Sequence, residues 1–554
     1  MSQCSAPHEL PASSKETASS RSTHSITATS PTIGTKSVPK DFRFWMVFLA
    51  ICVSLFLSAL EFTVISTALP TIIHDLEGIE FVWVSSAYAL ASTALLPASG
   101  GFAQIFGRRT TMLISLAIFA LGSALCGAAK SLAWLIAART IQGAGGGGIL
   151  ALSSIIVSDM VSLEERGTYN GCIGMTWAVA SSIGPIVGGS FSAAGQWRWL
   201  FYLNLPLCGV AAALVLVFLK LPTPPGAFKE KISRIDWIGN ILIIASSSAV
   251  IIALAWGGVT FPWVSVHVLL PLLCGVVGMA AFLLYEAFGA KEPIVPYSLL
   301  TNRTSLSGYI QTFLSPLIVV TNIFFIPVYY QACKEASPVH SGVLMLGMCI
   351  SLGPVLILTG ASVTVSKRYR PQLWFGWAAL TVAQGALSTL EADTSSSHGI
   401  GLPMLIALGG GMIYAGTYFP VLAPLPVTQN AYALAFFSFC RSLAGAWGVS
   451  IGTAVLQTQL THRLPAEFLA EFPQGVSLAY SVIPVIKTLD EPLRSQVRDA
   501  FAKSIVVIWQ VLIGISGLGF LVSLLMKGLP LHSALDEKWA IDMNETAREA
   551  RDVE

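Results

Sequence analysis

Residues 100–109 read Gly100-Gly-Phe-Ala-Gln-Ile-Phe-Gly107-Arg108-Arg109, and they connect two long apolar runs at 81–101 and 110–129. Each run is about as long as the 20 apolar residues that an α-helix needs to cross the hydrocarbon of a bilayer. Two such runs joined by a short basic connection are typical of a transmembrane helical hairpin whose connection lies in the cytosol. This stretch therefore predicts an all-α polytopic membrane protein.

The rest of the chain repeats this pattern. Of its 554 residues, 54% are apolar and 11% are charged, whereas soluble domains contain about 25% charged residues. A soluble fold cannot bury so much apolar surface, because its own exterior must face water. The apolar runs predict about fourteen spans, at 44–69, 81–101, 110–129, 132–153, 170–194, 198–219, 236–256, 266–288, 305–330, 340–363, 372–391, 400–423, 436–457 and 504–527.

The positions of the basic residues predict the orientation of these spans. Short connections after even-numbered spans contain most of the Lys and Arg residues, among them Arg108, Arg166, Lys231 and Arg368. The positive-inside rule then predicts that both termini are cytosolic. The segment 458–503 is also basic, but long connections cross largely regardless of charge, so we expect it to be an extracytosolic loop.

A weak internal repeat predicts two bundles. Gly360 precedes Arg368 by the same spacing that separates Gly100 from Arg108, at an offset of about 260 residues, and such repeats are common in transporters. The repeat predicts two six-helix bundles with two extra spans inserted between them. The predicted divisions are a disordered cytosolic tail at 1–43, an N-terminal bundle at 44–219, a linker with the two extra spans at 220–304, a C-terminal bundle at 305–527 and a cytosolic tail at 528–554.

Three more stretches carry a family resemblance. Span one ends in Leu60-Glu-Phe-Thr-Val-Ile-Ser-Thr-Ala-Leu-Pro70, span four contains Arg139-Thr-Ile-Gln142-Gly143, and span five contains Ala180-Ser-Ser-Ile-Gly184-Pro185-Ile-Val-Gly188-Gly189. Together with residues 100–109, they resemble motifs of the major facilitator superfamily, specifically its fourteen-span drug:proton antiporter family. The chain looks most like the fungal exporters of toxins and secondary metabolites. Its departures from the family pattern are Gln104 and Glu61, where acidic and aspartate residues are usual, and Ala180 in place of glycine.

The resemblance implies secondary active transport, driven by a proton gradient without a cofactor, with export of small lipophilic compounds. The same fourteen-span layout also occurs in proton-coupled importers of iron chelates, which is the alternative function. The Gly184–Gly189 stretch, similar to the antiporter pattern, favours export.

Glu61 and Arg139 are the candidate proton-coupling residues. Counting 1.5 Å of rise per residue from opposite ends of their spans places both in the outer half of the membrane. Isolated charges cost about 2.5–3.5 kcal/mol in a span, so a pair between them, or a water-filled cavity, would relieve that cost. The pair could carry the coupled proton, or it could be a static structural contact.

Other candidates follow from the motifs. We expect Gly184, Pro185, Gly188 and Gly189 to form a hinge as well as a close helix contact. The resemblance assigns Gly100, Gly107, Arg108 and Arg109 to a cytosolic gate, and Gln142 and Arg441 are cavity candidates. These sets are expectations about role, and each has a plain packing alternative.

The sequence lacks several signals of other functions. It contains no GxxxxGK[ST] phosphate loop, no CxxC pair and no histidine cluster, so neither ATP binding by this chain nor a metal site is expected. An integral membrane enzyme and a channel are both disfavoured. The expected partners are a small-molecule substrate, protons and the lipid bilayer, with no nucleic acid, and we expect a monomer in the plasma membrane. Few intramembrane charges are present, which favours a neutral or weakly charged substrate.

Overall fold

The computed structural model consists of α-helices, and it describes residues 40–76, 82–221, 224–258, 260–469 and 482–533. The predicted tails therefore lie almost entirely outside the described residues. The first seven helices are α1 Phe42–Leu76, α2 Val82–Phe106, α3 Arg108–Gly127, α4 Leu132–Met160, α5 Arg166–Ala193, α6 Arg198–Tyr202 and α7 Asn204–Phe218.

The remaining helices begin with a short α8, Phe228–Ser233, before the inserted hairpin of α9 and α10. They are α9 Trp237–Trp256, α10 Val266–Phe288, α11 Ser298–Thr301, α12 Arg303–Cys333, α13 Pro338–Ser366, α14 Arg370–Leu387, α15 Ser396–Gly416, α16 Tyr418–Leu422, α17 Asn430–Arg463, α18 Ala466–Leu469 and α19 Leu493–Leu524. Two 3₁₀ turns lie at Val427–Gln429 and Ile486–Thr488.

The predicted spans coincide with helices throughout the chain. Within the described residues, thirteen helical segments are long and apolar enough to cross a membrane. The predicted span at 372–391 is the exception: its helix α14 has only 18 residues and includes Gln372 and Gln384, which lower its apolar character. The expected all-α polytopic fold is confirmed, with fourteen as an approximate count of spans.

The predicted loop at 458–503 is shorter in the structure. Helix α17 continues to Arg463 and α19 begins at Leu493, so both ends of the predicted loop are helical. The flanking sequences are polar, for example 493–503, and a search for apolar runs therefore misses them. Residues 470–481, in the middle of this segment, lie outside the described residues.

Helices of each half pack mainly with one another. In the first half, α1 packs against α5 and α7, while α4 lies between α2 and α3. In the second half, α12 packs against α17 and α19, and α15 lies between α13 and α14. The halves meet where α5 contacts α13 and α2 contacts α17, and the inserted hairpin packs against α2 and α17.

Glycines let α4 approach both neighbours closely. A Cβ atom on Gly145 would collide with the α3 backbone at Phe119, and one on Gly147 would collide with the α2 backbone at Ser92. Small residues at such contacts allow backbones to pack at short distance, which is the usual source of helix association in a bilayer. The glycine-rich stretch of span four is thus explained by contact on both faces of the helix.

Ion pairs connect helix ends on the side of the molecule away from Arg108. We call the side where α1 begins and α2 ends the basic end, because it includes Arg108, and the other side the opposite end. At the opposite end, Arg494 donates hydrogen bonds to Glu335 across the gap between α19 and α12. The Arg494 guanidinium holds the pKa of the Glu335 carboxyl below its usual value, outweighing partial burial.

Substitution of Gly147 tests the close packing of α4. We expect Gly147→Ala to lower the melting temperature of the purified protein, because its new methyl group must displace the Ser92 carbonyl, and overpacking costs about 1–3 kcal/mol. Gly514→Ala in α19 is the matched control, since no atom lies within 4 Å of its added Cβ and alanine favours a helix by about 0.5–1 kcal/mol. Equal melting temperatures for the two variants would contradict this account.

Candidate functional site

Glu61 of α1 and Arg139 of α4 form a buried ion pair, in which Arg139 Nη1 donates to Glu61 Oε1. Each side chain is only 1% exposed. Arg139 also donates from Nε to the Val84 carbonyl of α2 at 3.0 Å. The depth argument from the sequence thus named two residues that the fold brings into direct contact, and their role remains a prediction.

Two amide side chains complete the network. Gln142 accepts from Arg139 Nη1 at 2.6 Å, and Asn204 of α7 donates to Glu61 Oε2 at 2.7 Å. Gln142 also donates to Ser123 of α3 at 2.9 Å. Each carboxylate oxygen of Glu61 therefore accepts a hydrogen bond from a different helix, and with Val84 of α2 and Ser123 of α3 the network joins five helices.

Sequence reasoning did not identify Asn204 or Ser123, and it assigned Gln142 to the cavity rather than to this network. Gln142 was a cavity candidate, but it is fully buried inside the network. One signal for Asn204 was available in the sequence, because it is the single amide side chain in the otherwise apolar run that forms α7. An amide in hydrocarbon needs a hydrogen-bonding partner. That signal does not identify the partner, which comes from a helix more than a hundred residues away.

Aromatic rings enclose the cation. The Tyr88 ring lies 4.5 Å from the Arg139 guanidinium carbon, and the Phe201 ring lies 5.9 Å from it. A cation over an aromatic face is stabilised, by about 2 kcal/mol or more when water is excluded. Gly143 makes this arrangement possible, because a Cβ there would collide with the Tyr88 carbonyl. Tyr88 is oriented in turn by a 3.0 Å hydrogen bond between its hydroxyl and Ser58.

The network can accommodate both forms of the carboxyl. When Glu61 is charged, it neutralises Arg139 directly. When Glu61 is protonated, Arg139 still has two acceptors, the Val84 carbonyl and Gln142. A buried charge is costly without partners, so this second set of acceptors lowers the cost of breaking the pair. The same contacts would also suit a static pair.

The basic motif forms a second buried ion pair. Arg108 Nε donates to Asp159 at the end of α4, at 2.9 Å, and its Nη1 donates to the Ala103 carbonyl and to Gln104, at 3.0 and 3.3 Å. Gly107 has a φ of 90° where the chain turns from α2 into α3, a conformation that glycine adopts without strain.

Asp159 was not among the sequence candidates. It supplies a carboxylate to Arg108, while Gln104 at the usual acidic position supplies a neutral acceptor. Arg109 reaches instead to the Leu216 carbonyl of α7, at 2.6 Å. Gly100 lies where α2 meets α17, and a Cβ on it would come within 2.7 Å of the Ala435 Cβ.

The antiporter-like stretch lies in α5, which is helical from Arg166 to Ala193. A Cβ on Gly184 would collide with Thr63 of α1, whereas one on Gly189 would meet nothing within 4 Å. Gly188 is buried, and the side chain of Pro185 lies outside the described part of the structure. Close packing explains Gly184, and the expected hinge remains a prediction.

Arg441, the other cavity candidate, stacks on aromatic rings. Its guanidinium carbon lies 3.5 Å from the centre of the Tyr414 ring and 4.4 Å from that of Phe437, and it donates to the Tyr414 carbonyl at 2.8 Å. Among the described residues, no carboxylate forms an ion pair with it. The aromatic faces are thus its main electrostatic partners.

Comparison with known proteins identifies the family. A family model described as Major Facilitator Superfamily matches residues 51–449. This chain belongs to the major facilitator superfamily. The protein is therefore a multi-pass membrane transporter rather than an enzyme, and its substrates are small molecules.

Curated relatives of this superfamily member are fungal transporters. It is 39% identical to the MFS-type efflux pump LUC4 of Fusarium sp, over 92% of each chain. It is 38% identical to the efflux pump FUS6 of Gibberella fujikuroi, over 91% of this chain and 92% of that protein. It is 35% identical to an MFS-type transporter of the acurin A biosynthesis cluster in Aspergillus aculeatus, over 91% and 93%.

A solved structure shares the fold of this facilitator. The crystal structure of the human organic anion transporter MFSD10 (TETRAN) has a TM-score of 0.58, covering 86% of this chain and 99% of that chain at 15% identity. This likeness concerns the fold alone.

Removing one partner of the Arg108–Asp159 pair tests its contribution to stability. We expect Asp159→Asn to lower folded yield and melting temperature strongly, because breaking a buried pair costs about 3–5 kcal/mol by leaving an uncompensated charge. Glu164→Gln is the control, since the Glu164–Lys367 pair is half-exposed and such pairs contribute about 0–1 kcal/mol. A similar melting temperature in both variants would show that Arg108 does not depend on Asp159.

Proposed function

We propose that this protein is a proton antiporter that exports small lipophilic compounds of the toxin and secondary-metabolite class. The observation that carries the proposal is the fully buried Glu61–Arg139 pair, with its second set of acceptors for the cation. Relatives named as efflux pumps, at 38–39% identity over most of both chains, support the direction of transport. They favour export over the import of an iron chelate.

Glu61 acts in this proposal as the proton carrier. Protonation removes the negative charge and releases Arg139 to its other acceptors, which loosens the contact between α1 and α4. Deprotonation restores the ion pair and draws the two helices together. In this proposal the transporter has two conformations, and the ion pair is favoured only in the one that brings α1 and α4 together. The proton gradient therefore biases the equilibrium between the two conformations. Gly184, Pro185, Gly188 and Gly189 of α5 serve as the hinge beside α1.

The basic end faces the cytosol of a plasma-membrane protein in this proposal, with both termini on that side. The described contacts support a molecule closed at that end. A Cβ on Gly167 of α5 would collide with Gly360 of α13, and the reverse is also true. Lys367 also pairs with Glu164 at 2.9 Å between the two halves. Gly100, Gly107, Arg108 and Arg109 complete the gate.

Replacement of Glu61 by glutamine tests the proton role. We expect gradient-driven transport of a labelled lipophilic compound into inverted vesicles to fall to background in Glu61→Gln, because the amide cannot ionise. Asn204→Ala is the matched control: it removes one hydrogen bond to Glu61 and retains the carboxyl, so transport should become slower but still respond to the imposed proton gradient.

Normalising to folded protein separates this proposal from the static alternative. A static pair predicts that Glu61→Gln mainly lowers the amount of folded protein, by leaving Arg139 unpaired. Normal gradient-driven transport per folded molecule would end the proton-carrier proposal. Uptake of an iron chelate by right-side-out vesicles under an inward proton gradient would instead favour the alternative, that the protein is an importer.

Cysteine labelling tests the orientation. Lys487 and Arg368 are exposed residues near the opposite end and the basic end. We expect a membrane-impermeant thiol reagent to label Lys487→Cys in intact cells and Arg368→Cys only after permeabilisation. The reverse pattern would contradict the proposed orientation.

A further inference from the structure

Two carboxyl groups meet at the basic end of the inserted hairpin. Asp236 is the residue before α9, and Glu286 lies in the last turn of α10. A Cβ on Gly239 would collide with Asp236 Oδ2 and would come within 2.5 Å of Glu286 Oε1. The two oxygens therefore lie on the same side of the α9 backbone, each within 2.5 Å of the same point, so the carboxyl groups are neighbours.

Each carboxyl has one satisfied oxygen and one bare oxygen. Asp236 Oδ1 accepts from the Gly239 amide at 2.9 Å and from the Tyr285 hydroxyl at 3.1 Å. Glu286 Oε2 accepts from the Val295 amide at 3.0 Å. Asp236 Oδ2 and Glu286 Oε1, the two that face each other, have no donor among the described residues.

Two neighbouring carboxylates, one of them buried, cannot both be ionised at low cost. Glu286 is 4% exposed, so water screens it poorly, and like charges sharing a site disfavour the second ionisation. A proton between the two bare oxygens removes the repulsion and supplies the missing hydrogen bond. We infer that Asp236 and Glu286 share one proton and form a proton-binding site separate from Glu61.

Arg234, two residues before Asp236, forms its ion pair with a different carboxylate. Arg234 is engaged by Glu292, with which it makes contacts at 2.9 and 3.2 Å. The buried side chain of Asn240 lies beside Asp236, and its Oδ1 also lacks a donor among the described residues. The titratable or charged groups near the site are Tyr285 of α10, Arg234 and Glu230 before α9, Glu292 after α10, and Tyr432 of α17.

The site joins parts of the molecule that meet at the basic end. Its proton holds the start of α9 to the end of α10, and Glu286 Oε2 holds the chain at Val295 on its way to α11. A small cavity beside Asp236 is lined by Gly101 of α2 and Tyr432 of α17. Proton loss would place two like charges within the contact that the hairpin makes with both halves.

The sign of the pH effect follows from proton binding. The folded protein holds a proton that separate carboxyls in the unfolded chain release above about pH 4–5. Stability therefore falls as pH rises, because the folded state then binds more protons than the unfolded state. The shared proton contributes fully to stability at acidic pH, and this contribution is lost as rising pH removes the proton.

Infrared spectroscopy of the full-length protein in lipid nanodiscs tests the inference directly. At pH 7 we expect the C=O band of one protonated carboxyl to be present in the wild type and lost in both Glu286→Gln and Asp236→Asn. Glu164→Gln removes a half-exposed carboxyl away from the site and should keep the band. Glu61→Gln should also keep it, so the result does not depend on the proposed function.

Melting curves provide an independent readout of the same variants. The wild type should lose stability as the pH rises, whereas Glu286→Gln should show a flatter profile, because its amide always donates to Asp236. A band that survives in both site variants, or equal pH profiles in the wild type and Glu286→Gln, would overturn the inference. A wild-type melting temperature that rises with added sodium or potassium at constant pH would assign the site to a metal cation instead.

Discussion

The hydrocarbon of a bilayer offers no water, so every polar group placed there must find its partner within the protein. This constraint governs the structure more than any single packing contact. Glu61 and Arg139 satisfy it as an ion pair, and Arg108 does so with Asp159. Partners of this kind come from different helices, so satisfying the charges also determines which helices are neighbours.

Close approach of helices is the condition for these partnerships. Hydrogen bonds require separations of about 3 Å, and side chains of ordinary size between two helices would prevent them. Gly143 brings the α2 backbone near enough for Val84 and Tyr88 to contact Arg139. Gly122 serves the same purpose between α3 and Gln142. Glycines at the helix contacts thus allow the charged side chains to reach their partners.

Charged sites in this protein differ in how they are neutralised, and we propose that this difference gives them different responses to protons. Arg108 with Asp159 holds opposite charges of similar burial and is suited to a permanent contact. Glu61 with Arg139 also holds opposite charges, and we propose that this contact is reversible. Among the described residues no cation pairs with Asp236 or Glu286, and we infer that a shared proton lets them coexist. In this view, the partners around a charged side chain, rather than its residue type, distinguish a permanent contact from one that responds to protons.

The sequence by itself determined the class of the fold and the approximate spans, because apolar length and basic connections are local properties that need no tertiary contact. It also named Glu61 and Arg139 as possible partners, and the structure brings them into contact. It could not predict Asn204, Asp159 or the meeting of Asp236 with Glu286. Each of these depends on which helices become neighbours, through contacts between residues far apart in the chain. Only the tertiary structure decided those partners, since a side chain buried in the bundle can be satisfied by any helix that reaches it.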